Sequence, residues 1–251
     1  MHAQEREQLI HYVQKRWGGP HALRLGSESG QRLTLLPTGL HALDALLGGG
    51  LPAGRISTLR GGPSSGATTI SHTLVAAAQR REYVPVYIDA DRSFDPASAA
   101  RSGVDLERLT IIRPSDALES LAIATTLARC GGFDLILFDR LSEEHDPQVV
   151  STWLSCMATL LHSTNTALLI LAAPRDGGKA YYGGQALAHY SSVILSARRT
   201  AWLRDRSNDI TGICTQVRSL KNKTGAAPPA GLIEIEVHTT TPFRVATVVS
   251  A

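Results

Sequence analysis

Short apolar runs and helix-spaced apolar positions alternate along most of the chain. The runs predict strands at 55–60, 84–89, 109–113, 133–139 and 167–172. The spacing between the runs predicts helices at 68–81, 96–103, 116–130 and 149–162. Because the runs are apolar throughout, they indicate a mostly parallel sheet covered on both faces. Later runs, joined by turns, predict an antiparallel extension at 193–197, 212–218, 233–237 and 243–249. The pattern therefore predicts an α/β fold.

A short amphipathic helix is predicted over residues 4–17. Leu9, Val13 and Trp17 fall on one face at i, i+4 and i+8, and charged residues occupy the other face. A Gly-Gly-Pro sequence ends the helix. A terminal helix of this kind packs either on its own domain or on a neighbouring subunit. The three apolar residues are therefore candidates for docking a partner.

A Gly- and Ser-rich stretch after this helix divides the chain. We expect a helix and linker at residues 1–30 and one core domain at residues 31–251. Hydrophobic residues make up 43% of the 251 residues, enough for such a core without metal or disulfide support. No apolar run approaches the length of a membrane span, so we expect a cytoplasmic protein without membrane contact.

The net charge and the cysteine content do not point to a particular function. The formal net charge of +3 does not by itself indicate nucleic-acid binding. The three cysteines, Cys130, Cys156 and Cys214, are far apart and odd in number, so they indicate neither a disulfide framework nor a zinc site. We expect them to be small buried side chains in a reducing compartment, and we expect no metal site built from cysteine.

The segment between the first strand and the first core helix matches a phosphate-binding loop except at one position. In the pattern GxxxxGK[ST], glycines let backbone N–H groups surround phosphates, the lysine reaches the β- and γ-phosphates, and the hydroxyl holds Mg²⁺. Here Ala67 stands where the lysine belongs. An ordinary strand–turn–helix junction is the alternative interpretation. The candidate loop consists of Gly61, Gly62, Pro63, Ser64, Ser65, Gly66, Ala67, Thr68 and Thr69.

Asp139 supports the phosphate-loop interpretation. It ends the apolar run 133–139, which is the position of the Mg²⁺-orienting aspartate in P-loop proteins. A buried strand that ends in an acid is common, so this signal has value only together with the loop.

From Pro37 to about Val237 the chain resembles the core of the RecA recombinase family. The resembling segments, in order, are 38–44 (TGLHALD), 48–56 (GGGLPAGRI), 87–91 (YIDAD), 94–96 (FDP), 103–105 (GVD), 183–190 (GGQALAHY), 198–199 (RR), 221–223 (KNK) and 226–228 (AAP). The resemblance implies a RecA-like P-loop core and places Asp91 at the position of the catalytic acid. It implies that residues 221–223 touch nucleotide on a neighbouring subunit. Residues 4–26 resemble the helix and linker that join filament subunits.

The chain departs from the family pattern at several positions together. The changes are the missing lysine at Ala67, an aspartate for glutamate at Asp91, the γ-phosphate-sensing glutamine at Ala173, a short acidic first DNA loop at 141–147 and a reduced second DNA loop at 176–184. The set indicates that Asp91 and Asp139 are vestigial. It also predicts that ATP and Mg²⁺ bind at most weakly and that ATPase activity is absent or very weak.

Residues 198–223 carry the strongest local charge. The seven basic residues there face only two acids; they are Arg198, Arg199, Arg204, Arg206, Arg218, Lys221 and Lys223. One interpretation is a solvated face. Another is a groove for single-stranded DNA or a subunit interface, with Trp202, Tyr181 and Tyr182 stacking on bases.

Three functional interpretations stay open. The first is an accessory protein of the bacterial DNA damage response, because the chain resembles RecA paralogues of the ImuA type, which accompany an error-prone polymerase in translesion synthesis. The second is a divergent DNA-dependent ATPase of homologous recombination, with Arg60, or Lys221 and Lys223 across an interface, supplying the missing cation. The third is a cap on a recombinase filament. The implied partners are a recombinase, an error-prone polymerase, single-stranded DNA and further copies of the chain.

Overall fold

The computed structural model describes residues 3–17, 33–175, 180–224, 231–238 and 244–249. The chain divides into two compact units, Met1–Leu33 and Thr34–Ala251. The first unit contains helix α1, Ala3–Trp17, as the amphipathic pattern predicts. The stretch after α1 that was predicted to be a linker lies outside the described residues.

The second unit is an α/β fold, as predicted. Its helices are α2 His41–Leu47, α3 Ala67–Arg80, α4 Pro96–Arg101, α5 Ala117–Cys130, α6 Pro147–Thr164 and α7 Gly184–Tyr190. Its strands are β1 Leu35–Leu36, β2 Leu51–Pro52, β3 Ile56–Gly61, β4 Pro85–Asp89, β5 Thr110–Ile112, β6 Leu135–Leu141, β7 Ala167–Ala172, β8 Pro174–Arg175, β9 Ala180–Tyr181, β10 Val193–Arg204, β11 Ile210–Asn222, β12 Gly231–His238 and β13 Arg244–Val249.

Nine of these strands form one sheet in the order β13-β12-β11-β10-β3-β7-β6-β4-β5. The six strands from β10 to β5 in this order are parallel to their neighbours. Strands β10 to β13 pair antiparallel in chain order. The predicted parallel sheet with an antiparallel extension is confirmed.

Alternate residues of the central strands enter two separate cores. On β6, Leu135 and Leu137 pack into one core with Tyr87, on the side of α2 and α3. Ile136 and Phe138 pack into the other core, on the side of α5 and α6. All four β6 side chains are fully buried. Burial on both faces is the reason why this strand is apolar without alternation.

Local signals fix the helix boundaries. The side chains of Asp95, Asp116 and Asp146 accept hydrogen bonds from backbone N–H groups in the first turns of α4, α5 and α6. Gly131 and Asn165 end α5 and α6 in the left-handed conformation. These caps position the strand ends that carry the candidate site.

The strands that contain the basic residues 198–223 differ most from their predicted bounds. Strands at 193–197 and 212–218 were expected, but β10 and β11 run much further and form a hairpin closed by residues 205–209. The added part of β10, residues 198–204, is mostly exposed and carries three arginines, so it lacks the apolar run that marks the buried strands. The short helices α2 and α7 were missed because seven residues give too little periodicity.

The expectation of buried cysteines is wrong. All three are free thiols, Cys130 and Cys156 are exposed, and Cys214 is half-buried. The first two lie on the outer faces of α5 and α6, away from the sheet. In the part of the chain that the structure describes, no helix is both long and apolar enough to cross a membrane.

Candidate functional site

The candidate phosphate loop connects β3 to α3 through a tight turn. Gly66 immediately precedes α3 with φ 84°, a left-handed conformation that glycine adopts without strain. A Cβ atom at Gly66 would lie 2.6 Å from Thr215 Oγ1, and one at Gly61 would collide with the Ser65 hydroxyl. Glycine is therefore required at both positions, and the turn has the close packing that a phosphate loop needs.

A cavity of about 220 Å³ lies at this loop. The loop residues 61–69 line it together with Leu171, Ala172, Ile213 and Arg140. Ala67, at the position of the missing lysine, is the first residue of α3 and packs against the apolar core. Among the described residues that line the cavity, Arg140 is the one cationic side chain. The charge of this site thus comes from the end of β6 and not from the loop.

Asp139 is fully buried in β6, beside this cavity. Its Oδ2 atom accepts a short hydrogen bond from the Tyr87 hydroxyl. Its Oδ1 atom lies 3.3 Å from Arg140 Nε. One oxygen of the predicted Mg²⁺-orienting carboxylate is therefore hydrogen-bonded, whereas Oδ1 is ion-paired with Arg140 but receives no hydrogen bond.

Asp91 is held by the same arginine. Its Oδ2 atom lies 2.7 Å from Arg140 Nε, and both side chains are about one-quarter exposed, at 25% each. The other oxygen accepts a 2.6 Å hydrogen bond from the Ser93 hydroxyl. The structure thus joins the two predicted acids, Asp91 and Asp139, through one guanidinium.

The neighbouring acid Asp89 has a matching arrangement. It is fully buried at the end of β4, accepts hydrogen bonds from the backbone N–H groups of Ser93 and Phe94, and pairs with Arg113 Nε at 2.9 Å. Each buried carboxylate at this edge of the sheet therefore has its own arginine.

Burial raises the pKa of the Asp139 carboxyl to about 6. The negative charges of Asp91 and Asp89 raise it further, while the Tyr87 hydroxyl and Arg140 oppose the shift. Burial and the adjacent Asp139 also raise the pKa of Tyr87 above its ordinary value, so Tyr87 stays a hydrogen-bond donor. The Asp139 charge is stabilised only by these two partners.

The alternative cations have other contacts. Arg60 is partly buried, which lowers its pKa, and its guanidinium lies 5.3 Å from the centre of the Tyr181 ring. Lys221 Nζ donates to the backbone carbonyls of Ala188 and His189 at the end of α7, at 2.5 and 3.1 Å. Both side chains thus serve contacts within the chain.

The basic hairpin, which we define as β10, β11 and the turn between them, spreads its charges over two faces. Arg198 pairs in register with Gln216, and Arg199 pairs with Thr215 on the opposite face. The Arg199 guanidinium lies 3.9 Å from the centre of the Trp202 ring, an arrangement typical of cation–π pairing.

The remaining predicted binding residues are spread along the hairpin and α1. Arg204 donates from Nη1 to the backbone carbonyl of Asn208 at 2.7 Å, Arg206 is exposed in the turn, and Lys223 is exposed beyond β11. On α1, Leu9 is 57% exposed and Val13 is half-buried. The side chain of Trp17, residues 176–179 of the reduced second loop and residues 226–228 lie outside the part of the chain that the structure describes.

Comparisons with known proteins agree with this architecture. A family model described as the RecA N-terminal domain matches residues 4–148. The RecA protein of Thermus thermophilus is 32% identical over 256 residues, covering 92% of this chain and 75% of that protein. The RecA protein of Mycobacteroides abscessus is 33% identical over 255 residues, covering 92% of this chain and 73% of that protein. The chain belongs to the RecA family. The predicted RecA-like core is confirmed.

In this RecA-family chain the residues at the site do not fit magnesium-bound ATP. A phosphate loop of this kind needs a lysine, and Ala67 has no charge. Mg²⁺ is held by carboxylate oxygens, and at Asp139 one oxygen accepts from the Tyr87 hydroxyl while the other, without a hydrogen bond, lies 3.3 Å from Arg140 Nε. A metal ion at these residues would therefore have to replace the Arg140 guanidinium beside Asp139.

Sequence reasoning missed Arg140 and Tyr87 as site residues. Arg140 follows directly on Asp139, so an arginine next to a strand-ending acid was the available signal. Tyr87 lies 52 residues away in sequence, and only the pairing of β4 with β6 brings it to Asp139. Tyr87 had no signal of its own, because a tyrosine in a buried strand fits the core equally well.

We expect Asp139→Asn to change the pH dependence of stability. A carboxyl with a folded-state pKa of about 6, against an unfolded value of about 3.9, stabilises the fold below the lower value and loses that contribution as pH rises through 6. Wild type should therefore lose up to roughly 3 kcal/mol relative to the variant between about pH 4 and 7. Urea unfolding across this range measures the difference. Exposed Asp209→Asn is the control, and parallel curves for wild type and Asp139→Asn would contradict the expectation.

Proposed function

We propose that this chain is a RecA-family accessory protein of the bacterial DNA damage response that does not hydrolyse ATP. The observation that carries the proposal is the ion-pair network in which Arg140 holds both Asp91 and Asp139, opposite a phosphate loop without its lysine. An acid paired with an internal arginine is a poor activator of water, and a loop without lysine gives little stabilisation of transferring phosphate.

The proposed partners are a recombinase and an error-prone polymerase in translesion synthesis. Family membership supports a role in DNA repair or recombination. The resemblance to ImuA-type paralogues supports the polymerase partner. The apolar Leu9 on α1 supports docking through this helix, since a large exposed apolar side chain at a terminus favours contact with another protein. In this proposal the protein acts through contacts with other proteins and with its own copies.

The divergent ATPase is the alternative, and the described residues favour it less. It requires a cation to replace the lysine. Arg60 lies against Tyr181, and Lys221 is bonded to the end of α7. Turnover would need at least one of them to leave these contacts.

Purified protein should show no ATP hydrolysis above buffer, with or without single-stranded DNA. Loss of the lysine removes a contact that stabilises the transition state, an effect of roughly 3 kcal/mol or more. Phosphate release measured over hours checks this. DNA-stimulated release that Asp91→Ala abolishes would refute the proposal and establish the ATPase.

Single-stranded DNA should bind to the basic hairpin independently of sequence. For single-stranded DNA, the slope of log K against log[salt] falls in magnitude by about 0.7 for each phosphate contact that is lost. Reversing two charges should therefore lower its magnitude by about 1.4. We expect this for the double variant Arg204→Glu/Arg206→Glu, measured by fluorescence anisotropy at several salt concentrations. The control reverses Arg81 and Arg129, which are exposed on α3's end and α5. Equal effects of the two double variants would show that the hairpin is a solvated face and not a binding site for single-stranded DNA.

The full chain should associate with a recombinase through α1. Leu9→Glu places a charge on the apolar face of α1. It should raise the dissociation constant at least about tenfold, which corresponds to a loss of roughly 1.4 kcal/mol of binding free energy. Gln8→Glu adds the same charge at an exposed neighbouring position and is the matched control. Surface plasmon resonance against immobilised recombinase measures both. Equal binding by wild type and Leu9→Glu would show that α1 is not the docking element.

A further inference from the structure

Arg140 occupies a position that suits a metal ion better than a side chain. Asp91 Oδ2 and Asp139 Oδ1 lie 2.7 and 3.3 Å from the same atom, Arg140 Nε. Two carboxylates that converge on one point are the hard oxygen donors by which Mg²⁺ and Mn²⁺ are usually held in proteins. Here a guanidinium fills that point.

The charges explain why a cation is needed there. Asp139 is fully buried, and the Asp91 side chain beside it is one-quarter exposed. Two like charges so close together in a region of low dielectric destabilise each other unless a positive charge lies between them. Arg140 provides that charge from within the chain.

Other donors complete the arrangement. The Tyr87 hydroxyl binds the second oxygen of Asp139, and the Ser93 hydroxyl binds the second oxygen of Asp91. The other two oxygens, Asp91 Oδ2 and Asp139 Oδ1, are ion-paired with Arg140 Nε without a hydrogen bond from it, so a divalent cation at this point would have to displace the guanidinium.

We propose that Arg140 is a built-in substitute for the divalent cation and keeps metal ions out of the Asp91–Asp139 pair. This deepens the proposed function, on which it rests, because it adds a second obstacle to hydrolysis that is independent of Ala67. Replacing Ala67 by lysine would therefore leave the site without metal as long as Arg140 is present.

Manganese binding to the full chain, followed by electron paramagnetic resonance of free Mn²⁺, tests this without nucleotide. Wild type should show no saturable site. Arg140→Ala should bind one Mn²⁺ with a dissociation constant of about 1 mM or lower, the weak end of carboxylate sites. Arg140→Ala/Asp91→Asn should lose that site, which assigns it to the acidic pair.

Two control variants distinguish the effect of removing a positive charge from a general disruption of the fold. Arg140→Lys keeps a cation and should still exclude Mn²⁺. Arg113→Ala removes the arginine from Asp89, a single buried carboxylate, and should gain no site. Circular dichroism verifies folding, and Arg140→Gln, which has an uncharged donor, replaces the alanine variant if that variant unfolds.

Three results would overturn the inference. These are Mn²⁺ binding by wild type that Asp91→Asn abolishes, no gain of binding in folded Arg140→Ala or Arg140→Gln, and equal gain in Arg140→Lys. Each of them is distinguishable from failure of the proposed function, which is measured by ATP turnover of wild type. A chain that hydrolyses no ATP and yet binds no Mn²⁺ after removal of Arg140 would keep the function and refute the role of Arg140.

Discussion

Burial of the central strands on both faces is the constraint on which the rest of the molecule depends. Strands such as β6 supply apolar side chains to two cores at once, so a charged group along their length would be desolvated on either face. The acids of β4 and β6 lie toward the carboxyl ends of these strands: Asp89 is the last residue of β4, and Asp139 is the third from last of β6. The sheet therefore collects acids at one edge, and each of them needs a partner close by.

In this chain those partners are arginines. Arg113 pairs with Asp89, and Arg140 pairs with Asp139 and Asp91. An acid edge neutralised by side chains is stable without ligands, whereas an edge that holds a metal depends on the metal for its balance of charge. In the proposal made above, Arg140 takes the place that an exchangeable ion would have at this edge. The loss of the lysine at Ala67 is consistent with this change.

The sequence predicted the fold class because burial on both faces leaves an obvious trace, an unbroken apolar run such as 167–172, which is β7 with identical bounds. The phosphate loop was also visible, because its glycines are close together in sequence. The role of Tyr87 was not, because it depends on a contact between two strands. The outer part of β10 was not predicted for a different reason: a partly exposed strand segment rich in arginine has no apolar pattern. The same lack of a distinctive pattern hid the exposure of Cys130 and Cys156.

The contact between Gly66 and β11 links the position of the phosphate loop to that of the basic hairpin. Thr215 occupies the space where a side chain at residue 66 would be, and the same strand carries Arg218. The backbone at residue 66 therefore packs directly against β11. A side chain at residue 66 would press on Thr215 and displace β11, which contributes Ile213 to the cavity and Arg218 to the surface, so the absence of a side chain at residue 66 sets where the hairpin lies.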